Sequence, residues 1–129
     1  MSARAISIIL GLLLLAAGVA GFLPQYQNVV SGAADAIFKS DLAHNIVYLA
    51  SGLLLVLLPS IIGGRQTLLL IGVIYAGLSA LGFMNRTDGF LINNQYVVMN
   101  DADRWLHVAI AAILILAGLV FSNRPRDDA

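Results

Sequence analysis

Cysteine and glutamate are missing from this chain, and charge of either sign is scarce, at 11% of 129 residues. Without cysteine there are no disulfides, no thiolate metal sites, no CxxCH haem attachment and no cysteine nucleophile. Seven basic residues balance seven acidic ones, all of the latter aspartate, so no basic face exists to hold nucleic acid. What fills the space is apolar: 60% of the residues are hydrophobic, well outside the composition of a soluble domain. A membrane environment is the class this implies.

Apolar stretches run from about Ala5 to Leu23, Ala43 to Ile62, Thr67 to Met84 and Trp105 to Phe121. Each approaches the roughly 20 residues needed to cross a hydrocarbon core of about 30 Å. None of the lysines, arginines or aspartates falls inside them, as expected when a charge at mid-bilayer costs about 2.5–3.5 kcal/mol or more. The pattern predicts an all-α membrane protein, residues 1–129 forming one integral domain: a four-transmembrane-helix bundle made of two parallel helical hairpins.

The first stretch also has the look of a signal peptide, with Arg4 ahead of an apolar run ending in small residues near Gly18 and Ala20. Retention as an anchor is expected, because its removal would discard half of the internal repeat described next. Orientation follows from basic residues near helix ends. Arg4, Arg65, Arg124 and Arg126 crowd the tails and the tight Gly63-Gly64-Arg65 turn, while Lys39, Arg86 and Arg104 are diluted in two longer connections rich in aspartate. Both termini are expected in the cytoplasm.

Shifted by about 61 positions, the chain aligns Arg4 with Arg65, Gly11 with Gly72, Gly21 with Gly82 and Phe22 with Phe83; a shift of about 63 aligns His44 with His107. Duplicated two-span hairpins share one orientation, unlike the inverted repeats of many transporters. Pro59 is the one helix breaker well inside a span, and predicts a mild kink. Small residues four apart allow close backbone approach; Ser7 with Gly11, Ala17 with Gly21, and Gly72, Ala76 and Ala80 form such ladders. They serve packing within the chain or between copies.

The connection after the first span alternates apolar and polar residues, and Val29 to Phe38 is a candidate surface helix. In the second long connection, Asn93-Asn94 between "FLI" and "QYVV" predicts a β-hairpin. Exposed loops of this length are where recognition is expected.

Polar residues concentrate where the second and fourth spans begin. Ser40 or Asp41, and Asn100, Asp101 or Asp103, are placed to cap helices. Asp41 lies three residues before His44 and Asp103 four before His107, so each pair shares a helix face. The candidate cluster is Asp41, His44, Asn45, Tyr48, Asn100, Asp103 and His107. Capping and interfacial hydrogen bonding is one reading. A metal site is another, with His44 and His107 as ligands and Met84 and Met99 completing a soft copper site, as is bis-histidine haem between the two spans. Tyr48 and Ser51 continue the His44 face, and Tyr75 and Ser79 form a similar pair on the third span; they line a polar interior path or glue helices. Ser40 beside Asp41 and His44 is the only local constellation suggestive of hydrolysis, and its position on a helix end is poor geometry for it.

Taken together, "GVAGFLP", "HNIVYLASGLLL", "GLSALGF" and "NDADRWLHVAIAAILILAG" resemble a family of small bacterial four-span membrane proteins classified only as a domain of unknown function. The resemblance covers nearly the whole chain. Its most specific parts are His44-Asn45 opening the second helix and Asn100, Ala102, Asp103, Leu106 and His107 opening the fourth. The family pattern often carries another histidine where this chain has Tyr48. The resemblance implies a bacterial cytoplasmic membrane and brings no activity, substrate or cofactor. The resulting expectation is a non-enzymatic structural or accessory protein that packs with itself or another membrane protein, with no cofactor. The alternative is ligand, metal or haem binding, or transport, at the Asp/His/Asn cluster.

Overall fold

The computed structural model describes residues 1–23, 30–31, 38–39, 42–84, 89–92, 95–98 and 101–123, with side chains described over 1–23, 45–81 and 105–123. The elements in chain order are α1 (Ala3–Ala20), β1 (Val30–Ser31), β2 (Phe38–Lys39), α2 (Leu42–Leu57), α3 (Pro59–Ile62), α4 (Gly64–Met84), β3 (Gly89–Ile92), β4 (Gln95–Val98) and α5 (Asp101–Val120).

Local chemistry explains where the helices start and stop. The Ser2 hydroxyl accepts from the Ala5 N–H at 3.2 Å and caps α1, satisfying one of the amides that lack a partner in the first turn. Proline has no N–H to continue a helix, and Pro59 opens α3 after a one-residue interruption at Leu58, whose φ of −62° and ψ of −31° stay helical. Gly63 then adopts φ +99°, a conformation that side chains disfavour, and reverses the chain into α4. The ends differ from the sequence expectation: α1 stops at Ala20, α4 starts at Gly64, and α5 starts at Asp101, because capping and backbone bonding set these points, not hydropathy.

Contacts are densest within two helical hairpins, α1 with α2 and α4 with α5; α1 against α4 joins the halves, with thinner seams between α2 and α4 and between α1 and α5. Close packing relies on absent side chains. A Cβ on Gly52 would lie 2.6 Å from the Gly11 carbonyl oxygen, and one on Gly72 would lie 2.7 Å from Ile115 Cγ1, so backbone meets backbone in the first hairpin and backbone meets side chain in the second. The predicted ladders hold at Ser7, Gly11 and Gly72, which are buried. Ala80 departs from them and is exposed, since its position on α4 falls on the outer face, beside Leu81.

The core comprises Leu14, Tyr48, Leu55, Leu68, Ile71, Tyr75, Ala111 and Leu114 among others. Outside it, large apolar side chains point away from the bundle along every long helix, including Leu13, Leu53, Val73 and Leu116. In water such a surface would aggregate; in lipid it is the expected face. Three helical segments, Ala3–Ala20, Asn45–Ile62 and Gly64–Leu81, are long and apolar enough to cross a membrane, and Trp105–Val120 is a shorter apolar helix. Exposed Trp105 and Phe22 lie at one end of the bundle and exposed Arg4 and Arg65 at the other, a distribution that suits interfacial anchoring.

In the connections, β3 and β4 pair antiparallel from Gly89↔Val98 to Ile92↔Gln95, the hairpin expected around Asn93-Asn94. The surface helix expected over Val29 to Phe38 is corrected at its ends: Val30–Ser31 and Phe38–Lys39 are extended and pair in parallel. β-Branched and aromatic residues favour such pairing, and here it satisfies backbone groups that the alternating pattern alone assigned to a helix.

Candidate functional site

Among the residues with described side chains the buried polar ones are Ser7, Asn45, Ser51, Thr67, Ser79 and His107, and the two arginines, Arg4 and Arg65, are exposed. Most of the larger ones gather toward the end of the bundle where α2 and α5 begin. The Tyr48 hydroxyl and His107 Nε2 lie 3.3 Å apart, linking α2 to α5 across a pair of helices that otherwise touch little. His107 is 2% exposed. Its ring meets Tyr48 and Tyr75 edge-on, with centroids 6.2 Å and 5.9 Å away. Edge contacts of this kind use the positive rim of one ring against the negative face of another.

A second chain of bonds runs beside it. The Tyr75 hydroxyl donates to Ser51 Oγ at 3.1 Å, and Ser51 Oγ donates to the Val47 carbonyl at 2.6 Å. Ser79 Oγ donates to the Tyr75 carbonyl at 2.9 Å. Helix geometry explains the gathering: Tyr48 and Ser51 are three apart and Tyr75 and Ser79 four apart, so each pair lies on one face. Asn45 is buried with its amide directly against Gly21 at the end of α1. Nearer the opposite end, Ser7 Oγ donates to the Leu55 carbonyl at 2.6 Å and joins α1 to α2.

That opposite end carries a clamp which sequence reasoning missed. Gly63 precedes α4 but has no side chain to cap it. Asn123, beyond α5, supplies the missing acceptor: its Oδ1 takes the Arg65 N–H at 2.7 Å, and its Nδ2 donates to Gln66 Oε1 at 2.8 Å. The Ala3 N–H donates to the Ser122 carbonyl at 2.8 Å. The start of α1, the α3–α4 turn and the end of α5 thus meet at one end of the bundle. No local signal marked Asn123, because the helix it caps lies 58 residues earlier in the chain.

Of the residues expected to form one polar cluster, Asn45, Tyr48 and His107 are buried, and Tyr48 and His107 are brought together. His44, Asp103 and Met84 fall within helices, with side chains outside the described residues; Asp41, Met99 and Asn100 lie outside the described residues altogether. Tyr75 and Ser51, set apart from that cluster in the sequence reading, belong with His107 in space. The Tyr48–His107 and Tyr75–Ser51 contacts run between helices, while Ser51 and Ser79 also bond back within their own helices. Among the described residues no three His, Asp, Glu or Cys side chains are grouped to hold a metal ion.

A helical bundle with spanning-length apolar helices and an apolar outer surface defines the class as a helical membrane-type protein. Residues 4–120 match the family described as "Domain of unknown function (DUF4383)", and the chain belongs to that family. No curated protein and no solved structure matches the chain.

Proposed function

We propose that the chain is a non-enzymatic structural or accessory protein of the bacterial cytoplasmic membrane, with all four long helices crossing the bilayer and both termini in the cytoplasm. The observation that carries this reading is the use of the interior polar groups. Tyr48 with His107, Tyr75 with Ser51, and Ser7 with Leu55 each tie one helix to another. In lipid such interhelical bonds act as glue. α5 is 20 residues long, about 30 Å at 1.5 Å per residue, which suits it to span beside α4. The end carrying Arg4 and Arg65, where the termini meet, is the one placed in the cytoplasm by the excess of basic residues there.

The duplication belongs to the same reading. All five buried positions of α1, Ala3, Ser7, Gly11, Leu14 and Gly18, correspond about 61 residues on to buried positions of α4: Gly64, Leu68, Gly72, Tyr75 and Ser79. Gly11 touches Gly52 and Gly72 touches Ile115, which are equivalent contacts if α5 follows α2 by about 63.

The test is elemental analysis and visible absorption of protein purified gently from native membranes, beside a His44→Ala/His107→Ala variant. The proposal expects no stoichiometric metal and no haem band, and a variant that unfolds at lower temperature. Stoichiometric metal or haem that vanishes in the variant would replace this reading with the cofactor alternative.

A further inference from the structure

The seam between α1 and α5 holds a half-open cleft of about 130 Å³ lined by Leu10, Leu13, Leu14, Ile110, Ile113 and Leu114. Its floor, Leu14 and Leu114, is buried, whereas Leu13 and Ile113 stand exposed at its mouth. The cleft lies about halfway along both helices, which is mid-bilayer depth in the orientation proposed above. A wholly apolar lining gives water no hydrogen-bond partner, and apolar cavities of about 150 Å³ stay dry yet accept a benzene-sized guest. A helix, about 10 Å across with its side chains, is too wide to enter.

The opposite seam, between α2 and α4, is built from different side chains. Resting on the duplication, the equivalents of Leu14 and Leu114 are Tyr75 and Ser51, and there the Tyr75 side chain is fully buried and latched by its 3.1 Å bond to Ser51. With leucine at both positions, the α1–α5 seam has neither the ring nor the latch. We propose that the α1–α5 cleft seats the acyl chain of a bilayer lipid, which occupies the volume that Tyr75 occupies in the opposite seam. Depth, size and lining select this guest: it must be apolar, narrow and flexible, and lipid chains surround the cleft's mouth. The bundle is then sealed by protein on one side and by lipid on the other.

The experiment reconstitutes the full chain in phosphatidylethanolamine–phosphatidylglycerol vesicles containing a phosphatidylcholine with a diazirine midway along one acyl chain. After illumination, peptide mass spectrometry compares adducts on Leu10, Leu13, Ile110 and Ile113 with those on Leu70, Val73 and Ile74, the exposed control face of α4. Several-fold enrichment at the cleft is expected, falling to the control level in Ile113→Phe, which plugs the mouth and leaves the buried floor intact. Equal labelling of cleft and control face overturns the proposal, as does enrichment that Ile113→Phe leaves unchanged. Protection of the cleft accompanied by a dimer in native mass spectrometry also overturns it, in favour of a side chain from a second copy. The Leu14→Tyr/Leu114→Ser variant separates the two readings. Enrichment that Ile113→Phe abolishes but this exchange does not supports the lipid seat and overturns the duplication.

Discussion

Glycine to alanine at two positions in this bundle is expected to have opposite effects, and the distances set both signs. At Gly52 a new Cβ would lie 2.6 Å from the Gly11 carbonyl oxygen and 2.7 Å from the Leu15 amide nitrogen. Both obstacles are backbone atoms, which cannot rotate away, so α1 and α2 must separate by a large fraction of an ångström. Overpacking of this kind costs about 1–3 kcal/mol, and a gap of 0.5–1 Å forfeits about a quarter to a half of each dispersion contact along the seam. The helix-propensity gain of alanine over glycine, about 0.5–1 kcal/mol, offsets only part of it. At Gly77 a Cβ would meet nothing within 4 Å, so the propensity gain stands alone. Gly52→Ala should therefore unfold earlier than the parent, and Gly77→Ala later, when both are titrated from mild detergent into denaturing detergent under identical conditions. Shifts of the same sign would refute the claim that α1 and α2 are held by backbone contact at this crossing.

Three further substitutions probe the ends of the bundle. Tyr48→Phe removes one interhelical hydrogen bond, worth about 0.6–1.7 kcal/mol in membrane proteins. His107→Ala loses that bond together with two edge contacts of about 0.5–1.5 kcal/mol each, so the histidine variant should be the less stable in a thermal melt; the reverse order would separate His107 from the tyrosines. Asn123→Ala deletes the acceptor that caps α4 from the far end of the chain, for about 0.5–2 kcal/mol. Amide hydrogen exchange should accelerate at Arg65 in particular, and an unchanged Arg65 rate would show that the clamp does not hold the turn.

The bilayer as solvent was legible in the sequence, because runs of apolar residues free of charge have one stable home and only helices satisfy the backbone there. The pairing of β3 with β4 was equally local, since turn chemistry acts within a few residues. The polar site was legible only in pieces. Helical spacing put Tyr48 with Ser51 and Tyr75 with Ser79, but which helix each pair faces depends on how the hairpins dock. The pairing of His107 with Tyr48 was decided by α5 packing so that its seventh residue turns inward. Sequence symmetry suggested equal halves; the structure joins one seam through the Tyr75–Ser51 bond and lines a cleft in the other with Leu14 and Leu114. Asn123 reaching Arg65 is the extreme case, since a cap can come from any part of the chain that packing delivers. Hydropathy and turn chemistry are sums over neighbours in sequence and can be read along it. Contacts between helices depend on rotation and depth, which only the packed bundle determines.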